Sequence, residues 1–321
     1  MKSRSPLTNR PSRWVKTGAI ALCFAVIPAV ALGACSDSES DSSTSSTIST
    51  VVKTKSLDKV KVSGPLDEKP TVEFKPAFAG EEDEFRVIKA GTGPEVASGD
   101  RITVNYVAIG GSEGAELDTT WGAAPQKITV GTSAVLPIID EAIIGQPVGT
   151  RVLVSTDSTE ANGQWLLFVF DILDTKALPA TAEGESIAPL PNMPAVTIEN
   201  GVPTIAKPNG DAPKTLIVSV LIKGTGPVVT AGQTVSMQYT GIVWASGTVF
   251  DSSWTSGSVD FPVGSGQVIA GFDEGLVGQT VGSRVLIAIP PDKGYGAEGN
   301  SQAGIAGTDT LVFVVDILDA Y

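Results

Sequence analysis

Val148-Gly149-Thr150-Arg151-Val152-Leu153 and Val281-Gly282-Ser283-Arg284-Val285-Leu286 are one hexapeptide written twice, 133 residues apart (281 − 148). The same offset lays Gly91-Thr92-Gly93-Pro94 on Gly224-Thr225-Gly226-Pro227, Tyr106 on Tyr239, Asp118 on Asp251 and Gly131 on Gly264. It also lays Asp140-Glu141 on Asp273-Glu274 and, far upstream, Pro70-Thr71 on Pro203-Thr204, so each copy begins well before its obvious strands. Near the end the offset grows to 145 (311 − 166), where Leu166-Leu167-Phe168 meets Leu311-Val312-Phe313 and Asp171-Ile172-Leu173 meets Asp316-Ile317-Leu318. The first copy is therefore 12 residues shorter (145 − 133) between Thr156 and Leu166. Solenoid repeats have periods of about 20–50 residues, so a period this long indicates duplicated domains. The expected boundaries are residues 56–175 and 193–321, with 176–192, rich in Ala, Pro, Glu and Ser and without apolar periodicity, as a linker.

Within each copy the pattern is that of strands. Ile102-Thr-Val-Asn-Tyr-Val and Val235-Ser-Met-Gln-Tyr-Thr alternate with a period of two. Leu311-Val-Phe-Val-Val-Asp-Ile-Leu is nearly continuous and β-branched, which suits a central strand buried along most of its length. Ser246-Gly247 reads as the turn of a hairpin. A short helix is expected at about Ile269 to Val277, where Phe272 and Leu276 stand four apart on one face. One short helix against a mainly antiparallel sheet, twice over, is an α+β plan.

Composition narrows the chemistry. The 321 residues include no histidine and two cysteines, Cys23 and Cys35, and 35 acidic against 22 basic residues give a net charge of −13. At roughly 100–200 residues per domain the length fits two domains with their own cores. A chain without histidine has no Ser-His-Asp or Cys-His apparatus and no His-ligated metal site, and two cysteines cannot make a zinc ribbon. No metal and no cofactor is expected. A pI near 4.5 argues against a nucleic-acid partner, because phosphate binding is driven by clustered Lys and Arg.

The N-terminus reads as an address and an anchor. Residues 1–16 carry Lys2, Arg4, Arg10, Arg13 and Lys16 without an acidic residue, and a 16-residue largely apolar run follows from Ala19 to Ala34. That is short for a membrane span, which needs about 20 residues, but fits the core of a signal peptide. It ends in Leu32-Gly33-Ala34-Cys35, which resembles the lipobox of bacterial lipoproteins. The resemblance implies cleavage of residues 1–34 and lipidation of Cys35, hence a lipid-anchored protein on the extracytoplasmic face of the cell membrane. The alternative is ordinary secretory cleavage with Cys35 incidental. Ser36 to Thr50 is almost only Ser, Thr, Asp and Glu, so residues 35–55 are expected to be a flexible tether.

The second copy carries five blocks in one register: Tyr239-Thr240-Gly241; Phe250-Asp251-Ser252-Ser253; Gln267-Val268-Ile269-Ala270-Gly271-Phe272-Asp273-Glu274-Gly275; Tyr295-Gly296 after Pro290-Pro291-Asp292; and Leu311-Val312-Phe313. In these it resembles the FKBP-type peptidyl-prolyl cis-trans isomerases, the immunophilin class that binds macrolide immunosuppressants. The resemblance covers the second copy fully and the first in part, and it implies two FKBP-like domains. It places Tyr239, Phe250, Asp251, Tyr295 and Phe313 at the catalytic pocket and Val268, Ile269, Phe272 and Ile305 at its substrate-binding floor, wall and cap. Asp251 matches a carboxylate near the substrate carbonyl carbon, Tyr295 a hydroxyl that hydrogen-bonds a carbonyl, and the Ile269 N–H a second carbonyl donor. Phe272 stands where reference members carry tryptophan, Trp254-Thr-Ser-Gly where an arginine is usual, and Val259 where an aromatic is common. The partners implied are proline-containing segments of exported proteins and, at the same pocket, a macrolide.

This reaction suits a chain without imidazole, since rotation about X-Pro breaks no covalent bond and needs no nucleophile or proton shuttle. In the first copy Tyr106 and Asp118 remain, but Leu117 replaces the counterpart of Phe250, Ile139 that of Phe272, and the deletion removes that of Tyr295. That copy is expected to keep the fold without the activity. Two rival readings of the whole are a non-catalytic envelope chaperone or scaffold and a solute-binding lipoprotein; the second lacks the α/β pattern such a protein would show.

Overall fold

The computed structural model describes residues 56–80, 83–132, 135–158 and 164–321. The leader, Cys35 and the tether lie outside the described residues, as do residues 159–163 at the site of the deletion. The first unit opens with a separate hairpin, β1 (Lys61–Ser63) and β2 (Thr71–Glu73). It continues with β3 (Glu84–Lys89), β4 (Arg101–Gly110), β5 (Glu116–Thr119), β6 (Gln126–Thr129), helix α1 (Pro137–Ile143), β7 (Arg151–Ser158) and β8 (Gln164–Lys176). Its antiparallel sheet runs β3-β7-β8-β4-β5, with β6 also paired to β4.

After β9 (Glu185–Ser186) the plan repeats. A hairpin of β10 (Val196–Glu199) and β11 (Val202–Ile205) precedes β12 (Ile217–Lys223), β13 (Thr234–Val243), β14 (Val249–Ser252), β15 (Val259–Pro262), α2 (Ala270–Leu276), β16 (Arg284–Ile289) and β17 (Leu311–Ala320). The order β14-β13-β17-β16-β12-β9, with β15 on β13, is the same path as in the first unit with β9 added at one edge. Antiparallel sheets with one short helix each are the α+β arrangement expected from the sequence.

β17 lies between β13 and β16, the central position its apolar run predicts. The run is continuous because both faces of the sheet are covered. Val285, Ile287, Ile289, Val315 and Ile317 face α2, with Phe272 and Leu276. Leu286, Ala288, Val312 and Val314 face the other way, under Ile205, Trp244, Met193 and Val196. In the first unit Leu57, Val60 and Phe78 cover Leu153, Leu167 and Val169 in the same manner. The segments that begin each unit, marked in the sequence by Pro70-Thr71 and Pro203-Thr204, belong to these second covers. Gly247, with φ +74°, closes the β13–β14 hairpin by donating to Val243 O at 2.8 Å.

The helices sit on the strands by opposite means in the two units. A Cβ on Gly271 would lie 2.4 Å from Ile289 Cγ2, and one on Gly275 2.9 Å from Ile287 Cδ1, so large strand residues pack against bare helix backbone. The equivalent helix positions in the first unit hold Ile138 and Ala142, and the strand positions hold Val154 and Thr156. Volume has moved from strand to helix, which conserves packing density.

A buried ion pair repeats as well. Arg284 donates through Nε and Nη2 to the two oxygens of Asp316 at 2.6 and 2.7 Å; Arg151 and Asp171 do the same at 2.5 and 2.6 Å. Asp316 also accepts the Ala182 N–H at 2.8 Å, within the segment that the sequence reads as a linker. That segment is stitched to the second unit: Lys176 ends β8, Glu185 and Ser186 pair with β12, and Ile187 N–H donates to Leu221 O at 2.8 Å. Pairing with an open sheet edge uses backbone groups only, so no apolar period announces it.

Two stability outcomes follow from this packing. Asp316→Ala leaves a guanidinium buried without its counter-charge and should cost about 3–5 kcal/mol in denaturant unfolding, whereas Arg284→Met with Asp316→Leu should lose less than half of that. Gly271→Ala should cost up to about 2 kcal/mol in thermal unfolding, being ~1–3 of overpacking less ~1 of improved helix propensity.

Candidate active site

In the second unit, aromatic side chains from two strands and the helix converge on a ring from a third strand. Phe313, from central β17, lies 4.7 Å from Phe272, 5.4 Å from Phe250 and 6.1 Å from Tyr239, centroid to centroid. The Phe272 and Phe250 contacts are near-perpendicular, at 83° and 86°, the edge-to-face geometry in which the positive edge of one ring meets the negative face of another. Cross-strand register brings the group together. Gly241 lies opposite both Phe313 and Asp251, and a Cβ there would lie 2.7 Å from Phe250 Cζ and 2.8 Å from Phe313 Cε1. Glycine at 241 is what lets the two rings cross the strand.

The floor and cap are built around Asp273 and the segment after β16. Asp273 accepts the N–H groups of Gly264 and Gly266, both at 2.7 Å, through its two oxygens. This pins the loop that carries Val268 and Ile269 against the cluster. The Ile269 carbonyl accepts from Phe272 N at 2.9 Å, while its own N–H has no acceptor among the described residues. Above the rings, Asn300 and Ile305 exchange backbone hydrogen bonds at 2.8 and 2.9 Å. The turn is tight: a Cβ on Gly307 would fall 2.0 Å from Ala297 O. It inserts Ile305, 4% exposed, into the cluster. Lys293 ties this segment to α2 through both oxygens of Glu274, at 2.5 and 2.7 Å.

Tyr239 Oη donates to Asp251 Oδ2 at 2.5 Å, and no cation pairs with Asp251 among the described residues. Burial pushes the Tyr239 hydroxyl far above the ordinary phenol range, and the Asp251 carboxylate pushes it further. The phenol is a fixed neutral donor. Tyr295 stands apart: it makes no ring contact with the others and remains 38% exposed at the rim. Seven of the sequence-derived positions (Tyr239, Phe250, Val268, Ile269, Phe272, Ile305 and Phe313) thus share one cluster, Asp251 is joined to it through Tyr239, and Tyr295 lies beside it.

Comparison with known proteins falls on this same unit. Residues 226–318 match the family model of the FKBP-type peptidyl-prolyl cis-trans isomerases. A curated FK506-binding protein of Streptomyces anulatus is 41% identical over 117 residues, 36% of this chain and 94% of its own. The chain belongs to the FKBP-type peptidyl-prolyl cis-trans isomerase family. A probable FK506-binding protein of Corynebacterium glutamicum is 40% identical over 119 residues, 37% of this chain and 98% of its own. Among solved structures, that titled "Crystal structure of AtFKBP13" is 28% identical, with a TM-score of 0.32 over 34% of this chain and 96% of that one.

In this FKBP-type unit one ring escapes sequence reading. Phe261 lies 6.4 Å from Tyr239, two residues along β15 from Val259 and so on the same face. The aromatic expected near 259 has moved one pleat on; the signal was the alternation Val259-Asp260-Phe261. In the first unit the pocket is refilled. Tyr106 still donates to Asp118, but Phe170, where the second unit has Val315, puts its ring 5.9 Å from Tyr106 and 5.7 Å from Phe168. β7 and β8 stay paired out to Ser158 and Gln164, and among the described residues no segment equivalent to residues 290–310 lies between them. Leu117, the counterpart of Phe250, is 42% exposed.

Since Tyr239 is held neutral, kcat/KM for an X-Pro peptide should be flat from about pH 6 to about pH 9. A bell-shaped profile would contradict the arrangement. Tyr239→Phe, which keeps the ring and removes the donor to Asp251, should lower kcat/KM about 10–150-fold, in proportion to one lost hydrogen bond to a charged group.

Proposed function

We propose that the five-ring pocket of the second unit catalyses X-Pro rotation in exported polypeptides by binding the twisted amide better than either planar form. The observation that carries this reading is an apolar, ring-lined pocket whose rim holds two free or exposed donors, the Ile269 N–H and the Tyr295 hydroxyl. Amide resonance sets an uncatalysed barrier of about 18–20 kcal/mol. Twisting reduces that resonance and the dipole, so the twisted form suffers less on transfer from water into an apolar site. A 10⁵-fold acceleration requires about 7 kcal/mol of such differential binding. The backbone carbonyls flanking proline would be held by Ile269 N–H and Tyr295 Oη, with the Asp251 carboxylate near the rotating carbonyl carbon. Phe250, Phe272, Phe313, Val268 and Ile305 would enclose the pyrrolidine ring. An apolar pocket with two carbonyl-directed donors also suits a macrolide.

We further propose that the chain is organised as a leader (1–34), a tether (35–55), a non-catalytic FKBP-like domain (56–175), a connector (176–192) and a catalytic domain (193–321). The lipobox-like Leu32-Gly33-Ala34-Cys35 and the polar run after it support anchoring by a lipid on Cys35 at the extracytoplasmic face, where newly exported chains fold. Intact mass of the membrane-fraction protein should equal that of residues 35–321 plus a diacylglyceryl adduct; an unmodified product in the medium would refute the anchor.

The activity is tested by cis–trans exchange on an X-Pro peptide with the full chain. Phe250→Ala and Tyr295→Ala should each lower kcat/KM about 10–100-fold, or ~1.4–2.7 kcal/mol of transition-state binding, without altering the fold. A folded wild-type chain that does not accelerate exchange would leave a peptide-gripping chaperone as the reading. Variants of full activity would instead refute the assignment of these residues.

A further inference from the structure

The two units meet through the same face of each. In the first unit this face is the ends of β4, β6 and β8, bearing Arg101, Lys127, Thr129 and Lys176; in the second it is the ends of β13, β15 and β17, bearing Ser236, Asp260, Asp319 and Tyr321. The registers coincide: Thr103 pairs with Lys127 and Asp174 as Ser236 pairs with Asp260 and Asp319. Equivalent strand ends of the duplicated sheet therefore face each other.

Their charges have diverged in opposite senses. Arg101, only 6% exposed, forms an ion pair with buried Asp319 and lies 4.3 Å over the Tyr321 ring. Lys176 reaches Asp319 Oδ2 at 2.7 Å, and Lys127 lies 5.0 Å from the Tyr321 centroid. Asp260 accepts from Thr129 Oγ1 at 3.1 Å across the junction and from Ser236 on its own side. At the positions of Arg101, Lys127 and Lys176 the second unit carries Thr234, Asp260 and Tyr321, none of them a cation. Two second-unit faces placed together would oppose four carboxylates without one basic side chain, and burying such charges unpaired is prohibitive. A face that penalises the wrong partner as well as attracting the right one is a specificity device.

We propose that the first unit is a charge-coded docking partner for the catalytic unit: its basic strand-end face is complementary to the acidic strand-end face of β13, β15 and β17, holds the two units as one body, and occupies a surface that would otherwise lie open. This gives the first unit a role that needs no pocket. It does not rest on the isomerase reading, since every contact lies outside the ring cluster; Tyr239 and Phe313 stand three and six residues from Ser236 and Asp319 along their strands (239 − 236; 319 − 313).

The test is a charge swap in the full chain, followed by differential scanning calorimetry and small-angle X-ray scattering. The wild type should unfold in one transition and scatter as one compact body. Arg101→Glu, and separately Asp319→Arg, should split the melt into two transitions and increase the radius of gyration, while Arg101→Glu with Asp319→Arg should restore both readouts. Lys176→Ala, whose side chain is largely exposed, should change little. Because the two single variants perturb different units, loss of one unit's fold would show as a missing transition rather than as separation. The proposal is overturned if both single variants keep the wild-type melt and scattering, or if the swap leaves the units apart while both transitions retain their enthalpy.

Discussion

Each sheet is organised about one arginine–aspartate pair set directly across two neighbouring strands. Arg284 faces Asp316 on β16 and β17, and Arg151 faces Asp171 on β7 and β8. The desolvation cost of such a pair is large, and burial indeed raises the Asp171 carboxyl, with Arg151 pulling it back. What the pair supplies is register. A one-residue slip would turn the side chains of the strand over, separating the fork from its carboxylate and placing a charge among Val and Ile. The pairs also reach outward. Arg151 donates to the carbonyls of Gly64, Pro65 and Glu68, and Asp316 accepts from Ala182, so the opening hairpin of the first unit and the segment before β9 are each clipped to such a pair.

Much of this was legible in the sequence, because duplication exposes what a fold needs twice. The recurrence of Gly-x-Arg-Val-Leu and of Asp-Ile-Leu marked the duplicated segments that carry the buried pair, and the apolar run from Leu311 marked β17 as a central strand. The helix was found within one residue at each end, from the spacing of Phe272 and Leu276 and the register of the blocks around them. The pocket was legible only through family spacing, since Tyr239, Phe250 and Phe313 taken singly look like any buried ring in a β-rich protein. The attachment of the linker, residues 176–192, to the second unit was not legible, because β9 is held by backbone pairing and by Ala182, neither of which leaves a periodic trace. Phe261 and Phe170 were missed because their roles depend on which ring fills which space across the sheet.

Divergence between the copies has been volumetric and electrostatic rather than topological. Helix glycines opposite isoleucines in one unit became isoleucine and alanine opposite valine and threonine in the other, with the strand order unchanged. At the junction the same duplicated face carries Arg101, Lys127 and Lys176 on one side and Thr234, Asp260 and Tyr321 on the other. Both kinds of change preserve the buried ion pairs and the Tyr–Asp hydrogen bond, which remain the most literal traces of common origin.

The ring of Phe170 has a consequence for the history of the first unit. With the loop above it shortened and Ile139 in place of a phenylalanine, the interior was closed by a large side chain growing from the strand beneath. Regaining a pocket would require the lost residues to return, an aromatic to reappear at 139 and Phe170 to shrink, and each step alone leaves either a clash or a void. The refilled core acts as a ratchet: no single substitution reopens a pocket among these rings.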